Sequence, residues 1–170
     1  MTSKKHIERT LLIFKPDAIQ RGIVGEIMTR FERVGLKVIG MKMVHPDLDH
    51  YHKHYEGIGT MITRHGKTIF DYTVNCIICG PVIAVVLEGV ESIAIARKLT
   101  GATEPKSAAI GTIRGDYCHI SYGRADSEQK GIRNLIHTSA DATEAEQEIK
   151  LWFDDKELFD YEVLHEKYTR

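Results

Sequence analysis

Apolar positions fall along this chain in two rhythms, short continuous runs and longer stretches with helical spacing. Residues 10–14 form a compact β-prone run, and Lys15-Pro16-Asp17 ends it because proline and the residue before it disfavour a continuing helix. This predicts a first strand. From Ile19 onward, Ile23, Val24, Ile27, Met28, Phe31 and Val34 recur at helical spacing, with Gly35 placed to stop the helix. Residues 36–44 are rich in Val, Ile and Met and end at His45-Pro46, which predicts a second strand. Residues 82–87, opened by Pro81, form the most hydrophobic run and predict a third, and 91–99 reads as a helix closed by Gly101. Residues 134–137 are a short apolar run suited to a fourth strand. Thr143 and Glu146 then form a capping box ahead of a helix carrying Ala145, Ile149, Trp152 and Phe153.

Between these elements, residues 47–80 mix histidines, tyrosines and charges with Gly57, Gly59 and Gly66, and two short helices fit them best. The thirty or so residues after Gly101 carry little periodicity. The element order is close to β-α-β-β-α-β, which predicts an α+β ferredoxin-like sandwich, a four-stranded antiparallel sheet covered by helices. No repeat, low-complexity stretch or linker divides the chain, so residues 1–170 read as one domain. Residues 1–7 are expected to be a flexible N-terminus, and the polar stretch 117–133 an exposed, inserted loop.

Composition changes this picture in three ways. The 170 residues suffice for about one domain with a sizeable core. Lys plus Arg number 23 against 24 Asp plus Glu, so no single-sign field holds a nucleic acid or an anionic membrane, and an anionic ligand must be caught locally. The run 82–87 falls far short of the roughly 20 residues that span a bilayer, and the start, MTSKKHIER, has no apolar signal region, so a cytoplasmic protein is expected. Cys76, Cys79 and Cys118 are an odd count, which favours free thiols. Cys76 and Cys79 have half the spacing of a zinc knuckle without a second pair, and buried strand thiols are predicted instead.

For chemistry, the Gly- and Ala-rich stretch 100–115 carries Thr103, Lys106, Thr112 and Arg114, a set that brings N–H groups and a guanidinium fork to a phosphate or is an ordinary basic surface loop. Gly66-Lys67-Thr68 is no Walker A loop, because Met61 stands where glycine is needed. Ile62 likewise spoils a dinucleotide fingerprint begun at Gly57 and Gly59. His50, His52 and His54, at period two, spread around a helix axis and predict a solvated face rather than a metal site. His137 ends an apolar run, with Ser139 close by and Glu148 in the capped helix. A docked helix there would aim the carboxylate at one ring nitrogen and leave the other as a nucleophile, the alternative being a hydrogen-bonded core histidine.

Five segments then point the same way: Glu8-Arg9-Thr10-Leu11-Leu12-Ile13-Phe14-Lys15-Pro16-Asp17-Ala18, Gly101-Ala102-Thr103-Glu104-Pro105, Gly111-Thr112-Ile113-Arg114-Gly115-Asp116, Arg133-Asn134-Leu135-Ile136-His137 and Glu148-Ile149-Lys150-Leu151-Trp152-Phe153. In this order they resemble nucleoside diphosphate kinases, from about Glu8 to Phe159. The resemblance implies Mg²⁺-dependent transfer of a γ-phosphoryl group from a nucleoside triphosphate to a nucleoside diphosphate, by a ping-pong route through phosphohistidine and with low base selectivity. It also implies a homo-hexamer, with a tetramer as the alternative, no membrane and no specific nucleic acid as partner, and Mg²⁺ held mainly by the nucleotide phosphates. Carried over by position, His137 is similar to the nucleophile, Glu148 and Ser139 to the groups that orient it, and Tyr55 to a tyrosine beside the reacting phosphoryl. Lys15 and Asn134 resemble the sugar and phosphoryl contacts, and Arg97, Thr103 and Arg114 the phosphate clamp. Ile69 stands where the family presents a base-stacking phenylalanine, with Phe70 one place later. Ile110 and Thr138 replace a usual proline and glycine, so a strained Thr138 is expected if that position needs positive φ. Stretches 56–79 and 117–133 are longer than the resemblance leads one to expect.

Overall fold

The computed structural model describes residues 6–169. Strands β1 (Ile7–Phe14), β2 (Lys37–Val44), β3 (Val82–Val90) and β4 (Ile136–Thr138) form one antiparallel sheet in the order β2-β3-β1-β4. Ten α-helices connect and cover it among the described residues: α1 (Pro16–Gln20), α2 (Val24–Arg33), α3 (Leu48–His52), α4 (Met61–His65), α5 (Lys67–Ile77), α6 (Ser92–Thr100), α7 (Ile113–Tyr117), α8 (Tyr122–Ser127), α9 (Ala142–Trp152) and α10 (Glu166–Thr169). The architecture is the expected ferredoxin-like α+β sandwich.

The apolar runs of β1 and β3 are continuous because both faces of these inner strands are buried. Leu11 and Ile13, with Val82, Ala84 and Val86, face a core completed by Tyr51, Tyr55, Phe70, Ile149 and Trp152. Leu12 and Phe14, with Val85 and Leu87, face a second core built on Ile27, Phe31, Ala96 and Leu135. Substituting any one of these large aliphatic residues by alanine would cost about 2–5 kcal/mol. β2 carries a bulge between Val38 and Gly40, and there the Phe159 N–H donates to the Ile39 carbonyl at 2.8 Å, so the C-terminal segment closes part of the sheet edge.

Several expectations need correction. The helix expected from Ile19 is two helices: α1 starts at Pro16, whose fixed φ suits a first turn, and Gly22 at φ +67° separates it from α2. Residues 47–80 hold three helices and a π-helical turn over Lys53–Ile58, rather than two helices. β4 starts at Ile136 because Leu135, at φ +69°, breaks the extended backbone; Thr138 pairs with Leu12 as an ordinary strand residue and is not strained. The α9 cap is Asp141, whose carboxylate accepts the N–H groups of Thr143 and Glu144 at 2.8 and 2.9 Å; Thr143 already lies inside the helix, so no box forms with Glu146. The stretch 117–133 is not all loop, since Ser121 caps α8 by accepting from the Arg124 N–H. Cys76 is half-buried on α5 and Cys79 exposed just after it, so neither is a buried strand thiol. Residues 1–5 of the expected flexible start lie outside the described residues, while Ile7 already pairs with Val90. No helix among the described residues is long and apolar enough to cross a membrane.

Candidate active site

His137 sits opposite Ile13 in the β1–β4 ladder, so both side chains leave the sheet on the face covered by α9. There the His137 Nε2 lies 2.7 Å from the Glu148 Oε1. The Ser139 Oγ donates to the other carboxylate oxygen at 2.6 Å while accepting the Leu11 N–H at 3.0 Å, which ties the pair to the central strand. Burial alone would raise the Glu148 carboxyl, but His137, His54 and the Ser139 hydroxyl together hold it down at about 2. An ionised Glu148 only accepts, so Nε2 carries the imidazole proton and Nδ1 keeps its lone pair.

His54 corrects the expectation of a solvated histidine face. It is 2% exposed, and its neighbour one turn back, His50, packs edge-on against Trp152 at 4.4 Å; His52 alone of the three is exposed. The Trp152 Nε1–H donates to the His54 Nδ1 at 3.2 Å, and the His54 ring stands edge-on to His137 with centroids 4.7 Å apart. Burial first, then the nearby His137, lowers His54 to about 3, so it is neutral. The spacing of Tyr51, His54 and Tyr55 at i, i+3 and i+4 was the available signal for this buried face.

A second group of residues is organised around Leu135. Its N–H donates to the Asp17 Oδ2 at 3.0 Å and its carbonyl accepts the Lys15 N–H at 2.8 Å, which hold a buried leucine at positive φ against a cost of about 1–3 kcal/mol. The preceding Asn134 thereby receives the Lys15 Nζ at 2.7 Å on Oδ1 and donates from Nδ2 to the Thr103 carbonyl at 2.8 Å. Arg114 is buried and donates to the carbonyls of Gly101, Asn134 and Ile136 at 3.1, 3.2 and 2.6 Å. Burial, and then the Arg114 charge, pull the Lys15 ammonium down to about 8, and burial lowers Arg114 to about 10. Asp17 was not singled out from the sequence, although it stands in the same Lys-Pro-Asp segment.

These groups converge on one cavity of about 730 Å³, within the usual range for small-molecule sites. Lys15, Tyr55, Ile69, Arg97, Thr103, Arg114, Asn134, His137 and Glu148 all line it, and Ser139 supports it from behind. Ile69, not Phe70, faces the cavity; Phe70 is buried in the core against His52. The Tyr55 hydroxyl is buried without a partner among the described residues, and burial pushes its ionisation well above the ordinary range. α8 and the residues after it, including Tyr122, Ala125 and Gly131, form a further wall. Among the described residues one cluster, His54, His137 and Glu148, brings metal-ligand types within 4.8 Å, but two imidazoles and one engaged carboxylate do not suit a hard ion such as Mg²⁺.

The chain as a whole has close counterparts. The family model for nucleoside diphosphate kinase matches residues 8–158. A nucleoside diphosphate kinase of Borreliella burgdorferi is 43% identical over 155 residues, covering 91% of this chain and 92% of that protein. One from Pyrococcus horikoshii is 46% identical over 154 residues, covering 91% and 90%. Among solved structures, a transition-state mimic of the nucleoside-diphosphate kinase from Borrelia burgdorferi with bound vanadate and ADP superimposes with a TM-score of 0.93 at 41% identity, covering 96% of this chain and 97% of that one. A halophilic nucleoside diphosphate kinase from Halobacterium salinarum in complex with CDP gives 0.81 at 41% identity, covering 96% and 98%. With a family match that extends from β1 past α9, the chain belongs to the nucleoside diphosphate kinase family of phosphotransferases.

Proposed function

We propose that this protein moves a γ-phosphoryl group from a nucleoside triphosphate to a nucleoside diphosphate through a phosphohistidine on His137. The observation that carries this reading is the His137–Glu148 pair at 2.7 Å, which leaves Nδ1 as the free nitrogen of a ring lining a cavity rich in cations. Nδ1 attacks the γ-phosphorus, the bond to the β,γ-bridging oxygen breaks, and the diphosphate leaves with that electron pair. In the second half-reaction a terminal oxygen of another diphosphate attacks the same phosphorus and the P–N bond breaks, which returns His137 unchanged. Glu148 holds the ring and accepts from Nε2–H as positive charge develops on the imidazole.

Phosphoryl transfer needs positioning and charge neutralisation more than covalent help. Lys15, Arg97, Arg114 and Thr103 are the proposed phosphate contacts, the Tyr55 hydroxyl supplies a donor beside the reacting phosphoryl, and Asn134 holds Lys15 and reaches the sugar. Ile69 offers the base an aliphatic surface, which accepts any base and supports low selectivity. Glu148 is committed to His137 and Ser139, and Glu144 to the Ala140 N–H, so the residues fit an Mg²⁺ that arrives on the nucleotide. When bound, the ion supplies neutralisation of the phosphate oxygens. The reading includes a cytoplasmic homo-hexamer or tetramer; Ile110, 94% exposed, is an apolar side chain that a partner copy would cover.

The test is a two-step label transfer. Protein incubated with γ-labelled ATP and Mg²⁺, then freed of nucleotide, should carry an acid-labile label and hand it to GDP, and His137→Ala should carry none. Label retained by His137→Ala, or label that never reaches GDP, would refute the assignment.

A further inference from the structure

Most cations of the cavity are already engaged by the protein. Lys15 is bonded to Asn134, and Arg114 is spread over three carbonyls. Arg64, on α4, lines the same cavity and makes no side-chain hydrogen bond or ion pair with any described residue. Its neighbours on either side in sequence differ: Lys53 pairs with Asp49 and Lys67 with Asp71, both at 2.6 Å and both away from the cavity.

The placement of α4 is built rather than loose. The Glu56 carboxylate accepts the Ile62 N–H at 2.6 Å, and Met61 and Ile62 pack against the core that holds Tyr55. Both ends of the helix turn through positive φ, Thr60 at +48° and Gly66 at +85°. Glycine adopts this conformation freely, but a β-branched threonine does so against its intrinsic preference. The outcome of that unfavourable turn is that Met61, Arg64 and His65 reach the cavity wall. The helix also lies in the stretch 56–79, which is longer than the family resemblance predicts.

We infer that Arg64 is a further nucleotide-binding residue, its guanidinium taking phosphate oxygens of the nucleoside di- or triphosphate from the α4 wall while Arg97 and Arg114 act from α6 and α7. The inference rests on the phosphotransfer reading above. A guanidinium presents paired N–H donors that match two phosphate oxygens, and one not already spent on a carboxylate keeps all of them for the ligand.

Equilibrium titrations of the full-length protein with ADP and with adenosine test it, using wild type, Arg64→Gln, Arg64→Lys and Lys67→Gln. Arg64→Gln should weaken ADP about ten-fold and leave adenosine within about two-fold, with Arg64→Lys in between, as for a charge-assisted phosphate contact. Lys67→Gln removes the same charge from the adjoining surface and should shift ADP by less than about two-fold, because exposed charges away from the ligand are screened. The inference is overturned if Arg64→Gln leaves ADP unchanged, weakens adenosine equally, or is matched by Lys67→Gln. Wild-type protein that binds no ADP would overturn the phosphotransfer reading as well, so the two failures are distinguishable.

Discussion

Ser139 has no exposed surface, and its hydroxyl joins the central strand to the Glu148 carboxylate. Ser139→Ala removes both bonds and adds no bulk. It strands the buried Leu11 N–H, at about 1–3 kcal/mol, and deletes a hydrogen bond to a charged acceptor, at about 1.5–3 kcal/mol; neighbouring losses are not strictly additive, so about 3–5 kcal/mol is expected. Urea denaturation at fixed protein concentration and pH 7 measures this, and a scan should show melting lowered by about 6–20 °C. The pH dependence is diagnostic. Glu148 is depressed from 4.5 to about 2 in the folded protein, so the stability it confers is complete above about 4.5 and is lost as pH falls toward 2. Without the hydroxyl the carboxyl moves back up, and the gap between wild type and variant should narrow as pH falls through that window. The loosened His137 should also be phosphorylated on the order of ten-fold more slowly in a single turnover. A stability loss below about 1 kcal/mol, or a gap that does not change between pH 5 and 2.5, would refute the reasoning.

In the proposed reaction Lys15 acts as a cation, and with its ammonium lowered to about 8 the charge is lost on the alkaline side; kcat/KM, which reports the free enzyme, should therefore fall as pH rises through about 8, and a flat profile to pH 9.5 would contradict it. Ile69→Ala should raise the nucleotide KM with little change in stability, whereas Phe70→Ala, in the core, should cost about 3–5 kcal/mol in denaturant; the reverse pattern would mean the wrong residue faces the cavity. Gly131→Ala drives a Cβ into the Tyr72 carbonyl, so it should push the 117–133 segment off α5 and destabilise by about 1–3 kcal/mol, read as increased proteolysis within that segment.

The sheet was legible because its signal is local: two-sided burial makes residues 10–14 and 82–87 continuously apolar, and the element order then leaves few topologies. The site was legible through its motifs, because its contacts join residues far apart in sequence. Lys15 meets Asn134 across 119 positions, and nothing in either neighbourhood announces the other. What stayed hidden is of a different kind. Leucine carries no preference for positive φ, so the turn at Leu135 exists only because Asp17 and Lys15 supply partners for its backbone. The π-helical turn over Lys53–Ile58 is likewise set by tertiary packing, with the Gly59 N–H reaching back to the His54 carbonyl at 3.1 Å. Asp141 and Thr143 are both competent caps, and docking of α9 against β1 decides between them.

Local rules are broken at Thr60, Leu135 and the π turn, and each break bears on the cavity. Thr60 turns the chain into the helix that carries Arg64, Leu135 orients Asn134 toward Lys15, and the π turn delivers Tyr55 and buries His54 against His137. A chain selected for stability alone would relax such positions, since each stores energy that the surrounding packing must offset. That three such breaks serve one cavity, while the runs of β1 and β3 follow local preference, is what chemistry imposed on a stable scaffold looks like. It follows that relief of strain by Thr60→Gly, at an exposed position that leaves the core intact, should loosen nucleotide binding more than the same substitution at Glu91, which has positive φ but lies outside this cavity. Equal effects of the two substitutions in an ADP titration would show that the strain has no link to the site.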